Sequence, residues 1–402
     1  MVKTITHKLF DNLYLLRLDD DQIKYFESLW YIPEGITYNA YLLDTGDGAV
    51  LFDTWRKNYS ELFVEELKKI IDPRDIKYLI VHHMEPDHSG AIKELVELNP
   101  EIIVYGHQFT KRLINSFYNV DPKFKSIDDG EVLEFNGYRI KFIHTPWIHW
   151  PETMFSYLEN YKVLFTCDGF GSYGIFDAIY VDELRENIGE YMWYMKKYLA
   201  DIVGHYIDWV VKALEKLDSL KLNIELIAPS HGLIWRRPGE AISKYLEWIR
   251  GSDGRRIVVI YSSMYGFLEE AVKYVVKVLE EEGVEYRVHG FTATNYSSVS
   301  DLLGDLLDSS GIIIATATYE SNIFPYMRYI IELIREKIIK KKKILVISNY
   351  GWGPVAGHKI LESLKNTEHE IVDLIEFNAG QMDKYREKIK EGIIKLIAGL
   401  RK

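Results

Sequence analysis

Within the segment VHHMEPDHSG, Val81 to Gly90, stand His83, Glu85, Asp87 and His88, directly behind the apolar run KYLIV. Such a run reads as a buried strand, and a short loop at its end can turn all four side chains toward one centre. Imidazoles mixed with carboxylates make a metal-binding set, and a surface charge cluster is the weaker account of four such residues at this spacing. Three more candidates repeat the placement: His149 soon after RIKFIHT, Asp168 at the end of KVLFTC, and His231 after IELIAPS. Several strand ends converging on one rim can build a binuclear site, at which two ions share one small molecule.

A second constellation lies further on. The run RIVVIY leads into Ser262, Ser263, Met264, Tyr265 and Gly266 and then a helical pattern, so hydroxyls and backbone N–H groups at a helix start face an anion such as a phosphate. Two later strand candidates end in Thr316, Ala317, Thr318, Tyr319, Glu320, Ser321, Asn322 and in Ser348, Asn349, Tyr350, Gly351, Trp352, Gly353. These loops offer aromatic rings and backbone amides. The serine loop alone is a weak motif, because any turn after a buried strand can be rich in Ser and Gly.

The elements that must carry these residues differ between the two halves. Up to about Trp248 short strand candidates such as TYNAYLL, GAVLFDT and KVLFTCD mix with helices. Beyond RGSDGRR, Arg250 to Arg256, five strand candidates alternate with helical patterns, which implies a doubly wound parallel sheet. We therefore place domains at 1–250 and 255–402. From Val181 to Leu217 a helical stretch carries Met192, Trp193, Met195, Tyr198 and Trp209; at that spacing it reads as a buried stripe rather than a cofactor box.

Composition narrows the classes. At 402 residues and 47% hydrophobic, the chain suits two packed domains without disulfides. Its one cysteine, Cys167, excludes an internal disulfide, a rubredoxin-type iron site and a cysteine-bound cluster. A net charge of -11 argues against nonspecific nucleic-acid binding, and the basic run Lys340 to Lys343 reads as a solvated helix end. With neither a signal-peptide core nor a long apolar span, the expected location is the cytoplasm.

The HxxxDH-type loop, the later histidine, the aspartate after a strand and the SHG of Ser230 to Gly232 resemble the metallo-β-lactamase fold. Its zinc hydrolases commonly have histidine where Glu85 stands, whereas the HxExDH pattern is similar to that of the flavodiiron proteins. TYNAY at Thr37 to Tyr41, HWP at His149 to Pro151 and CDGFGSYG at Cys167 to Gly174 match the same family. The resemblance implies an N-terminal αββα sandwich with two irons, one held by His83, Glu85 and His149 and the other by Asp87, His88 and His231. Asp168 would bridge them. It also implies a C-terminal flavodoxin-like domain that binds FMN through the three loops above, although Phe267 and Leu268 stand where such loops often continue Asn-Thr. The implied activity is reduction of dioxygen to water, of nitric oxide to nitrous oxide, or both. In that family a head-to-tail homodimer, or a dimer of dimers, sets each FMN beside the partner's irons, and the electron donor is rubredoxin or reduced F420. Two readings from other classes remain: a binuclear zinc hydrolase with a flavodoxin-like docking domain, and an electron-transfer flavoprotein with a structural metal.

Overall fold

The computed structural model describes residues 2–251 and 256–400, so part of the linker expected at Arg250 to Arg256 lies outside the described residues. The chain divides into two compact units, Met1–Leu199 with Tyr206–Tyr245 and Ala200–His205 with Leu246–Lys402.

The first unit is a sandwich. A seven-stranded sheet runs in the order Lys3–Phe10, Leu13–Asp20, Ile36–Asp44, Ala49–Phe52, Ile76–Val81, Ile103–Gly106 and Lys123–Ser126. Its first three pairings are antiparallel and its last three parallel. The facing sheet orders Val132–Phe135, Tyr138–His144, Met154–Leu158, Val163–Cys167 and Leu226–Pro229, with only the last pair parallel. Leu15, Tyr41, Phe52 and Ile80 from one sheet and Phe142, Met154 and Phe165 from the other merge into one core. The Phe52 and Phe165 rings stack 4.2 Å apart across it. Each strand that precedes a metal-ligand candidate contributes to this core, through Ile80, Phe142, Phe165 and Ala228, so the packing fixes where each following loop begins.

The second unit has the expected five-stranded parallel sheet, in the order Tyr286–Thr292, Ile257–Ser263, Gly311–Tyr319, Lys343–Tyr350 and Glu370–Asn378. In chain order that is 2-1-3-4-5, the flavodoxin-like arrangement, which opens a crevice between the first and third strands. Helices Phe267–Glu281 and Arg386–Leu400 pack over Val259, Ile313, Leu345 and Ile347 on one face. The third strand runs further than its sequence suggests: it reaches Tyr319 and folds back to Asn322–Ile323. Glu320 and Ser321 supply the positive φ values, 45° and 57°, that a two-residue hairpin turn demands.

The basic run departs from its reading as a solvated helix end. The helix Pro325–Lys337 stops before it, and Lys342 is buried. Its Nζ donates to the carbonyls of Leu307 and Ser309, where the helix Val299–Leu307 ends. An ammonium group there offsets the negative helix terminus, a role that no pattern in the basic run itself announces.

Candidate metal centre and companion cleft

His83, Glu85 and His149 place one ligand atom each within 4.8 Å of one another, and Asp87, His88 and His231 do the same. Asp168 stands between the two trios. Its Oδ2 lies 3.6 Å from His83 Nε2 and 3.9 Å from His149 Nε2, while its Oδ1 lies 3.0 Å from His88 Nε2 and 3.5 Å from His231 Nε2. One carboxylate oxygen therefore faces each trio, the geometry of a bridging ligand, and the structure gathers all seven candidates.

Each ligand is aimed by its local backbone. The loop after Ile76–Val81 is pinned by the Ser89 hydroxyl, which lies 2.9 Å from both the Met84 and Glu85 carbonyl oxygens and shares its one proton between them, and by Lys57 N, which donates to Pro86 O. Gly90 passes so close to the Lys57 backbone that an added Cβ would lie 2.1 Å from its nitrogen. Cys167, at φ 48°, ends its strand in the left-handed region and turns Asp168 into the centre. The TYNAY segment is a clamp on the last ligand loop. Thr37 O accepts from His231 Nδ1 at 2.6 Å, Asn39 Nδ2 donates to Pro229 O and Gly232 O, and the Tyr41 hydroxyl donates to Pro229 O. His231 is thereby fixed with Nε2 toward Asp168.

The charges show what the cluster lacks by itself. Burial pulls the His88 imidazole down, yet Asp87 and Asp168 outweigh it and hold it up to about 9. His83 is likewise raised despite burial, by Glu152, Glu85 and Asp168. Burial works against ionisation of Glu85 and Asp168 too, but the histidines keep both carboxyls well below their usual range. Even so, both Asp87 oxygens and His231 Nε2 are buried without a hydrogen-bond partner. Buried polar atoms left bare are costly, and a cation seated in the trio of Asp87, His88 and His231 would offer all three a partner.

Two residues of this neighbourhood carry no signal in the sequence reading. Glu152, fully buried, accepts from His83 Nδ1 at 2.8 Å and from Met84 N at 3.0 Å; it follows HWP directly, and that adjacency is its sole sequence clue. Tyr198, one of the stripe read as core, donates its hydroxyl to Asp168 Oδ1 at 2.7 Å. His82 is structural: its ring nitrogens meet Asp53 and Ser156, both at 2.7 Å. His144 Nε2 faces Ile127 O. The Cys167 thiol, buried beside Asp168, is pushed well up by burial and by that carboxylate, and so stays neutral under the centre.

The second unit presents its own cleft. Ser263, Met264, Tyr265, Ala317, Thr318, Asn349, Tyr350, Gly351 and Trp352 line it, together with Phe267, Leu268 and Ala379. Of the other candidates, Ser262 and Thr316 lie beneath, their hydroxyls 2.8 Å apart, and Ser348 is buried in its strand. Gly266, Tyr319 and Gly353 are outside the lining. Gly266, at φ 85°, caps the helix that starts at Phe267, and its N–H donates to Ser263 Oγ. Tyr265 and Trp352 are 84% and 70% exposed, two aromatic rings on the loops that follow the first and fourth strands.

A family profile described as ODP family beta lactamase matches residues 36–232. A single-residue mutant of the flavo di-iron protein from Thermotoga maritima superposes with a TM-score of 0.94 at 36% identity, covering all of both chains. The chain belongs to the flavodiiron protein family. Further flavodiiron relatives are the nitric oxide reductase of Moorella thermoacetica, 29% identical over 90% of each chain, and the rubredoxin-oxygen oxidoreductase of Megalodesulfovibrio gigas, 28% identical over 86% of this chain and 85% of that one. Like them it is an oxidoreductase, of metallo-β-lactamase-like plus flavodoxin-like architecture. Among the described residues no helix is long and apolar enough to cross a membrane.

Proposed function

We propose that this flavodiiron protein reduces dioxygen to water, nitric oxide to nitrous oxide, or both, at a non-haem diiron centre fed by FMN. The observation that carries this reading is Asp168, whose two oxygens face two trios of identical composition, two histidines and one carboxylate each. Carboxylate-rich sets of this kind suit iron better than purely imidazole sites do.

When bound, the two irons give a small gas its binding positions and electrons, and the flavin takes electrons from a donor and passes them on. The chain itself does the rest. Thr37 and Glu152 fix the tautomers of His231 and His83 so that Nε2 points inward in both. A cleft lined by Phe26, Glu27, Arg56, Lys57 and Asn58 opens onto Glu85 and Asp87 and gives a small molecule its approach. At its mouth the surrounding protein and Glu85 push the Glu27 carboxyl up to about 7.

For the second cofactor the fit is a helix start, the backbone of three strand-end loops, and the exposed rings of Tyr265 and Trp352. In the working unit we propose a cytoplasmic head-to-tail homodimer, or a dimer of dimers, that covers these rings, with rubredoxin or reduced F420 as donor. Full activity of the monomer at high dilution would overturn the dimer.

The test is anaerobic purification, quantification of flavin, iron and zinc, and then reoxidation of the reduced protein by dioxygen and separately by nitric oxide. FMN with two irons per chain and rapid reoxidation is the expected result and ranks the two gases. Two zincs without flavin would favour the binuclear hydrolase instead.

A further inference from the structure

We infer that the two halves of the metal centre are poised unequally: His83, Glu85 and His149 favour the higher oxidation state, and Asp87, His88 and His231 the lower, when the centre holds one electron. This rests on the diiron reading above and goes beyond it.

The direct ligands are matched in type, since each trio has two imidazoles and one carboxylate and both share Asp168. The asymmetry comes from what stands behind them. His83 Nδ1 faces the Glu152 carboxylate at 2.8 Å, whereas His231 Nδ1 faces the neutral carbonyl of Thr37 at 2.6 Å. Both groups behind the histidines are fully buried, so solvent does not level them. An anionic acceptor makes an imidazole a stronger electron donor than a neutral one does. His83 therefore stabilises positive charge on its side.

Asp168 adds to the same bias. Tyr198 donates its hydroxyl to Oδ1, the oxygen that faces His88 and His231, at 2.7 Å. Oδ2 has only the weak thiol donor Cys167 Sγ at 3.9 Å, so the hydroxyl withdraws more electron density from the second half and leaves Oδ2 the better donor toward His83 and His149.

The stoichiometry is simple. One electron added to the fully oxidised centre converts a ferric to a ferrous ion in the Asp87, His88, His231 half, and a second reduces the other half. No ligand bond need form or break. Both electrons come from the flavin, one at a time.

The experiment uses iron-loaded holoprotein, wild type, Glu152→Gln and Tyr198→Phe, titrated potentiometrically while the half-reduced centre is followed by electron paramagnetic resonance. Glu152→Gln keeps an acceptor for His83 and Met84 but removes the charge, so the second, lower couple should rise. Tyr198→Phe frees Asp168 Oδ1, so the first, higher couple should fall. Both changes bring the couples together and shrink the half-reduced signal, each ten-fold loss of bias being about 59 mV for a one-electron couple. Glu152→Gln should also weaken iron retention in the His83 half alone, by roughly 10–100-fold. If that variant fails to hold iron, Tyr198→Phe decides the matter.

Couples that stay put, move together or spread apart, in variants with wild-type melting and iron content, would overturn the inference while leaving the diiron reading intact. Wild-type protein that binds no iron would instead remove the reading, and this inference with it.

Discussion

At the metal rim the functional atoms belong to side chains drawn from four strand ends, most of them buried, while at the companion cleft the strand ends supply mainly backbone and exposed rings. The rim holds charges that oppose each other's burial and leaves Asp87 and His231 with bare polar atoms. Around the cleft two of the hydroxyls already have protein partners, Ser262 with Thr316 and Thr318 with the N–H groups of Val355 and Ala356, and the one left bare, Ser348 Oγ, is neutral. Loss of the ligand should therefore cost the first region far more than the second. A charged site is incomplete without its ions, whereas a cleft of loops and rings is only uncovered.

The largest expected effect comes from removing the shared ligand. Asp168→Asn keeps the shape but loses the charge that both trios face, and metal affinity should fall by more than the roughly 100-fold typical of outer partners. Iron per chain should drop below two while flavin content stays at the wild-type level; equal loss of both cofactors would break the contrast between the regions.

Next is the pH dependence of the metal-free protein. His88 is held near 9, above its ordinary 6.5, so its contribution is fully present below 6.5 and lost as pH rises through 9. Glu85 and Asp168 are depressed below 4.5 and 3.8, so theirs is present above those values and lost as pH falls further. Thermal melting of metal-free protein should thus peak between about pH 4.5 and 6.5 and decline toward 9. Iron-loaded protein should keep its stability across that upper window, because binding displaces the same protons. Matching curves with and without iron would sink the electrostatic account of the rim.

In the cleft the effects should be smaller. Trp352→Ala removes a ring 70% exposed, and losing one stacking face costs about 1–3 kcal/mol. FMN affinity, followed by flavin fluorescence, should weaken roughly ten-fold with iron content unaltered. An unchanged affinity would place the flavin elsewhere. Smallest of all, Thr318→Val deletes the hydroxyl that accepts from two N–H groups at the start of the helix Ala356–Leu364. About 1 kcal/mol of stability should go, visible in denaturant melts and not in metal analysis.

The same contrast explains what the sequence made legible. Four ligands crowd one loop, so His83, Glu85, Asp87 and His88 declare themselves, and the strand before each remaining candidate marks His149, Asp168 and His231. Glu152 and Tyr198 do not, because each acts on a residue far away in the chain, 69 positions to His83 and 30 to Asp168. Only the folded sandwich brings them together. Tyr198 is also disguised, since a tyrosine in an apolar helical stripe looks the same whether its hydroxyl is idle or bonded to a ligand. In the second unit the doubly wound parallel sheet follows from the alternation of strands and helices, and its strand order from the family resemblance. The side-chain directions are less readable, and Ser262, which the serine loop suggested for the phosphate, points beneath the cleft to Thr316.

The TYNAY clamp bears on when the rim can exist during synthesis. Thr37 and Asn39, made early, hold the loop of Ser230 to Gly232, made much later. Until that loop leaves the ribosome, the growing chain can offer the ligands from His83 to Asp168 but has no seventh ligand and no closed rim. Pairings this distant along the chain form slowly and late. An ion taken up before then meets an open, exchangeable cluster, so which metal finally stays is decided after the first unit is complete, by the finished cage rather than by whichever ion arrives first.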